Sequence, residues 1–172
     1  METTIGVEGK WAVDASPSLA LALARRLDIA DKLAGERWQL KVDEDGGMTG
    51  HLRRGPVRVV LESEEHTDHG TAVHYKLSVK RFGVTITAAV EMECEPADDG
   101  GSIVATRLHF DDSIVLRFVP RGTVDQRLFF LQQALLLTYE QALEALSADR
   151  EAALAKLPET DRELLLSCLP TG

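Results

Sequence analysis

From Glu36 to Phe110 this chain alternates apolar and polar residues with few lapses, and a period of two commits a segment to strands with one dry and one wet face. Two neighbouring runs carry the cleanest signal. Val73, Tyr75, Leu77 and Val79 alternate with His74, Lys76, Ser78 and Lys80. After Arg81-Phe82-Gly83, the residues Val84, Ile86, Ala88, Val90, Met92 and Cys94 alternate with Thr85, Thr87, Glu91 and Glu93. Trp38, Leu40 and Val42 open the series opposite Gln39 and Lys41. Asp45-Gly46-Gly47, Thr67 to Gly70 and Pro96 to Gly101 supply turns. Met48 to Arg54 and Val57, Val59 and Leu61 flank Gly55-Pro56, which predicts a bulge or corner because proline cannot donate to a ladder. Ser102 to Phe110 returns as a further strand, and Ile114 to Val119 either prolongs it or crosses towards the next element.

A dry face of that length needs a cover, and the only segment long enough follows Pro120. Thr123 is a plausible N-cap with Gln126 in capping-box position. At about 100° per residue, Val124, Leu128, Leu131, Leu135, Tyr139, Ala142 and Leu146 then fall on one stripe. Phe130 and Leu137 fall on nearly the opposite side, so this helix has a second apolar spot. The tail offers a cover for it: Ala148 to Leu157 and Asp161 to Leu169 read as two short helices punctuated by Pro158 and Pro170, packed over Phe130 and Leu137. The rival cover is a second copy of the chain, a homodimer through the same two residues.

Ahead of the alternating region, Ile5 to Val13 reads as a strand with Val7, Gly9, Trp11 and Val13 on one face. Ser16-Pro17 starts a helix, with a hydroxyl to cap and a proline whose missing N–H is harmless at the first position. That helix runs through Leu27, and a second, Asp28 to Ala34, stops at Gly35. The predicted fold class is α+β: a curved antiparallel sheet of about seven strands around a long C-terminal helix, with two short helices after the first strand. Residues 1–147 form the domain and 148–172 a helical extension packed on it.

Composition narrows the partners. The 172 residues suit one domain, and a net charge of -9, from 28 acidic against 19 basic residues, repels phosphate backbones and argues against nucleic acid. Arg53, Arg54 and Arg58 form a short basic patch, better read as a charged strand edge that discourages sheet-to-sheet pairing. Met1-Glu2-Thr3-Thr4 has no signal-peptide character, and no apolar run approaches the roughly 20 residues of a membrane span, so a cytoplasmic protein is expected. Cys94 and Cys168 lie far apart in no metal-like spacing, and Cys94 reads as a buried thiol.

Chemistry-bearing motifs are scarce. His66, His69 and His74 cluster near Glu65 and Asp68, but zinc needs three or four converging ligands held by regular structure, and this reads as a solvated turn with His74 on a wet strand face. Ser63, Ser78, Ser102 and Ser113 sit in no strained glycine elbow, and Gly46-Gly47 and Gly100-Gly101 are hairpin glycines with no helix after them. No catalytic residue, metal or cofactor is therefore predicted.

Val13-Asp14-Ala15-Ser16-Pro17, Leu27 to Gly35 and Gly55-Pro56-Val57-Arg58-Val59, in this order of elements, resemble the START-like or Bet v 1-like (SRPBCC) helix-grip superfamily over roughly residues 4–147. The look is nearest to the carbon monoxide dehydrogenase G-like proteins. The resemblance implies a hollow between sheet and long helix. Enzymes of the superfamily, such as aromatase/cyclases, hold and polarise a polyketide there with a few polar residues. The dry positions Trp38, Leu40, Tyr75, Leu77, Met92, Leu128 and Leu135 would line that hollow, with Gln132 on the border of the stripe. Tyr75 and Gln132 are the two that could turn a polar group inward. A lining of plain hydrophobes suits a small hydrophobic or amphipathic ligand, lipid- or polyketide-like, better than a reaction, in a cavity of at least roughly 300 Å³. Two other functions fit the pattern: an interaction module using the outer face of the long helix and the tail, and a cyclase-like enzyme.

Overall fold

In the computed structural model, which describes residues 6–52, 55–81, 84–110 and 120–169, seven antiparallel strands form one sheet. They are β1 (Gly6–Val13), β2 (Lys41–Val42), β3 (Met48–Leu52), β4 (Gly55–His66), β5 (Thr71–Arg81), β6 (Val84–Pro96) and β7 (Ser102–Phe110). Helices α1 (Pro17–Arg25) and α2 (Leu27–Leu33) separate β1 from β2. Helices α3 (Arg121–Ala148), α4 (Arg150–Ala155) and α5 (Glu159–Cys168) complete the chain. The order across the sheet is β1-β7-β6-β5-β4-β3-β2, so each hairpin neighbour pairs in turn and β1 closes on β7. Ile5, Arg53, Arg54, Phe82, Gly83, Ser113, Ile114 to Val119 and Pro170 lie outside the described residues.

The period-two pattern becomes rows of facing side chains. Tyr75 sits opposite Val90, and Val90 opposite Leu108; Val59 sits opposite Leu77, and Leu77 opposite Ala88. All six are buried. The intervening residues face water, where His74 meets Glu91 across β5 and β6 and Ser78 bonds Thr87. One bulge interrupts the β4–β5 ladder between Leu61 and Ser63, and beyond it β4 runs exposed to His66. The irregularity expected at Gly55-Pro56 is absent there: both residues pair with β3, Pro56 opposite His51, in the first two positions of a strand, where a proline costs little.

The first turn of α1 forms as its sequence indicates. The Ser16 hydroxyl accepts from the Leu19 N–H, and Pro17 occupies the first turn. The long helix departs from expectation at its start: it begins at Arg121 with Pro120 in the cap position, so Thr123 lies inside the first turn and caps nothing. Its core stripe is buried at Val124, Leu128, Leu135, Tyr139, Ala142 and Leu146, whereas Leu131 is only half-buried. The closest backbone approaches of α3 are to α2, β1 and β7, at one side of the sheet.

The segment Trp38-Leu40 is not strand, although it alternates. Only Lys41 and Val42 pair with β3. Glu36 and Gln39 have positive φ, 61° and 54°, and the Asp31 carboxylate accepts from the N–H groups of Trp38 (2.8 Å) and Leu40 (3.0 Å), taking the donors a ladder would use. This loop still approaches β3 closely: His51 N–H donates to the Trp38 carbonyl at 2.7 Å, and a Cβ on Gly50 would lie 2.4 Å from that oxygen.

The tail leaves Phe130 uncovered, while Leu137 is half-buried. Helix α5 packs on α1 and α4 on α3, with Leu154, Leu157 and Leu165 joining the main core. Polar contacts tie α5 to α1 and α2: Ser16 Oγ donates to the Cys168 carbonyl at 3.3 Å, and Arg26 bridges Asp28 of α2 and Asp161 of α5 at 2.9 and 3.1 Å. The docking buries Leu165 completely. Phe130 stays 58% exposed and Phe129 50%, their rings 6.5 Å apart.

Candidate functional site

Trp38, Leu40, Tyr75, Leu77, Met92, Leu128 and Leu135 fall in one contiguous apolar core between the sheet, α1–α2 and α3. Each is placed by an element of regular structure or by a buried bond to one. Asp31 at the end of α2 holds the backbone of Trp38 and Leu40, while the Trp38 indole N–H donates to Thr138 Oγ1 of α3 at 2.9 Å. The ring of Trp38 is thereby fixed against the long helix. Burial raises the Asp31 carboxyl above its usual range more than the backbone donors of Trp38 and Leu40 lower it.

Gln132 lies inside the stripe, buried, not on its border. Its amide donates to Thr106 Oγ1 of β7 at 3.2 Å, and it passes so close to β1 that a Cβ on Gly9 would meet its nitrogen at 2.6 Å. Gly9 is what lets the glutamine cross. Gln132 therefore has a partner within the protein.

Tyr75 does not. Its residue is 2% exposed, and its hydroxyl is a buried polar atom with no hydrogen-bond partner among the described residues. Burial, then the proximity of Cys94, Glu64 and Asp28, pushes its phenol well above the ordinary value. Two further groups share this end of the interior. Tyr139 of α3 is fully buried beside Cys94 of β6, and its hydroxyl donates to the Ala20 carbonyl of α1. Burial lifts the Cys94 thiol from 9.0 to about 11. All three groups keep their protons at neutral pH. Sequence reasoning put Cys94 and Tyr139 inside but did not connect them with Tyr75, because they sit on three different elements and only the fold brings them to one place beneath α1.

On the wet face, Glu65, His74 and Glu91 approach one another. Glu65 lies 3.1 Å from His74 Nε2 and Glu91 3.6 Å from Nδ1, so the carboxylates flank opposite nitrogens of one ring. One ligand atom from each of the three lies within 4.8 Å of the others, and His66 turns instead to Thr71. A half-open groove of about 280 Å³ lies at the β1–β7 edge between Gly6–Glu8 and Arg107–His109. Among the described residues no helix is long and apolar enough to cross a membrane.

No protein-family model matches the chain, and no curated protein matches it. Solved structures do. The crystal structure of Ara h 8.0201 superposes with a TM-score of 0.55 at 16% identity, covering 83% of this chain and 99% of that one. The fold is a Bet v 1-like helix grip. Hypothetical protein jhp0584 from Helicobacter pylori matches with a TM-score of 0.54 at 12% identity over 86% of this chain and 88% of its own. SA2116 from Staphylococcus aureus, a protein of unknown function, matches at 0.50 and 14% identity over 87% and 97%. At these identities the helix-grip architecture is shared, and side-chain chemistry has to be argued from this chain alone.

Proposed function

We propose that this helix-grip domain, residues 1–147, binds a small hydrophobic or amphipathic molecule between its sheet and α3, and that 148–172 is an extension which braces α1 over that interior. The observation that carries the reading is the Tyr75 hydroxyl, enclosed in an apolar core without a partner. A buried hydroxyl left unpaired costs about 1–3 kcal/mol, and native structures keep few such groups without a reason. A guest molecule with a polar end supplies that reason. Trp38, Leu40, Leu77, Met92, Leu128 and Leu135 supply the apolar wall around it, with Gln132 already bonded to Thr106.

Native mass spectrometry of the protein purified from its own host tests this. An adduct that persists under gentle ionisation and is released on denaturation supports it. A bare polypeptide mass, together with no uptake of the neutral dye Nile red, would overturn it.

A second reading rests on Phe129 and Phe130, two large aromatics left half-exposed on the outer face of α3. Their docking on a second copy or another protein, with Leu137 at the rim, predicts a concentration-dependent mass in light scattering that Phe130→Ser abolishes.

A further inference from the structure

We infer that the guest's buried end is an uncharged oxygen acceptor, a ketone, ester or hydroxyl, that takes the hydrogen bond of Tyr75, and that carboxylate and phosphate guests are refused. The inference rests on the ligand-binding reading above and adds the chemical class of the ligand. Three observations carry it. The first is the unpartnered Tyr75 hydroxyl, a donor enclosed beneath α1. The second is the company it keeps: Cys94 and Tyr139 are neutral, with the Tyr139 hydroxyl already committed to Ala20. The third is the absence of a buried cation. Among the described residues the buried polar side chains are Asp28, Asp31, Ser102, Thr106, Gln132 and Thr138, all acidic or neutral.

Arg25, the cation felt by the Tyr75 phenol, is already matched, and so is its neighbour Arg26. Arg25 makes a bidentate pair with Glu64 at 2.6 and 3.0 Å, and Arg26 makes one with Asp28 at 2.9 Å before reaching Asp161. An anionic head brought to Tyr75 would lose its water, find no free cation among these groups and face Asp28 across a short distance. Burying an unpaired charge costs far more than one phenolic hydrogen bond returns. A neutral acceptor loses little solvation and satisfies the one orphaned donor. Because Tyr75 faces the sheet's dry side opposite Val90, within the buried apolar core, the remainder of the guest has to be apolar.

Three guests on one skeleton test this: naphthalene, 2-acetylnaphthalene and 2-naphthoate, each titrated against Nile red bound to the full chain. All titrations, wild type here meaning an intact Tyr75, use a Phe130→Ser background, so that dye on the outer face of α3 does not contribute. The ketone is expected to bind about threefold to tenfold more tightly than naphthalene, the range of one net hydrogen bond, and naphthoate more weakly than either. Tyr75→Phe should erase the ketone's advantage and leave naphthalene unchanged. Naphthoate binding as tightly as the ketone, or a ketone advantage that survives Tyr75→Phe, overturns this inference while leaving ligand binding intact. Equal binding of ketone and naphthalene in the wild type also overturns it, since a bound water then satisfies the tyrosine. If neither dye nor naphthalene binds, both readings fall. Should Tyr75→Phe not fold, the wild-type ranking of the three guests decides alone.

Discussion

Replacing Tyr75 with phenylalanine should make the ligand-free protein more stable, which is the reverse of what most core substitutions do. The ring stays in place opposite Val90 in the buried core, and only an oxygen without a hydrogen-bond partner among the described residues is removed. The desolvation cost of an unsatisfied hydroxyl is about 1–3 kcal/mol, and the small void left by one oxygen returns part of it, so a gain of about 1–2 kcal/mol is expected. In a chain of this size each kcal/mol moves Tm by about 2–4 °C, and urea unfolding should show a higher midpoint with an unchanged slope. Tyr139→Phe provides the control. It removes the same atom from an equally buried ring, but that hydroxyl donates to the Ala20 carbonyl, so its loss should cost about 0.5–1.5 kcal/mol. Opposite signs for two chemically identical changes would be hard to obtain by any route other than the difference in hydrogen bonding. If Tyr75→Phe destabilises the protein as much as Tyr139→Phe does, the Tyr75 hydroxyl has a partner, and nothing at that position calls for a guest.

Other expectations follow from the same interior. Cys94 holds its proton more tightly folded than unfolded, so its stabilising contribution is complete below pH 9 and is lost as pH rises towards about 11. A rise from 9.0 to about 11 corresponds to about 3 kcal/mol, and urea midpoints measured across that window should fall less steeply in Cys94→Ala than in the wild type. Thiol titration at pH 8 should modify Cys168, which is only half-buried, well before Cys94; simultaneous reaction would contradict the burial of Cys94. Asp31→Asn leaves one acceptor for two N–H groups and turns its own amide donor towards the other, at a cost of about 1–3 kcal/mol, with red-shifted Trp38 emission as the loop 34–40 loosens. Leu165→Ala empties a fully buried site between α5 and α1, and should cost about 2–5 kcal/mol with faster proteolysis after Ala148; a loss under about half a kcal/mol would mean that the tail is not part of the core.

The sheet could be read from the chain because each strand repeats one decision many times: Val73, Tyr75 and Leu77 alternate with His74, Lys76 and Ser78, and a one-residue slip would expose all of them. The long helix could be read for a similar reason, from Leu128 through Leu146. Where reading failed, the deciding partner lay elsewhere in the chain. Trp38-Gln39-Leu40 alternates as a strand does, yet Asp31 captures the donors that pairing requires, and nothing in the alternation reveals a carboxylate on a helix seven residues upstream. Periodicity showed that α5 had an apolar side around Leu165 but could not say whether that side meets α1 or Phe130, since an apolar stripe specifies burial without naming the surface that provides it. The candidate site follows the same division. That Tyr75, Cys94 and Tyr139 face inward is a property of each residue's own element and is legible there, whereas Gln132, on the border of the stripe by periodicity, is buried only by the packing of α3. That Gln132 finds Thr106, Tyr139 finds Ala20 and Tyr75 finds nothing is a property of pairs of elements. The functional reading depends on that last difference, because among several inward polar groups only the one the fold leaves unsatisfied has a hydrogen bond to offer a guest.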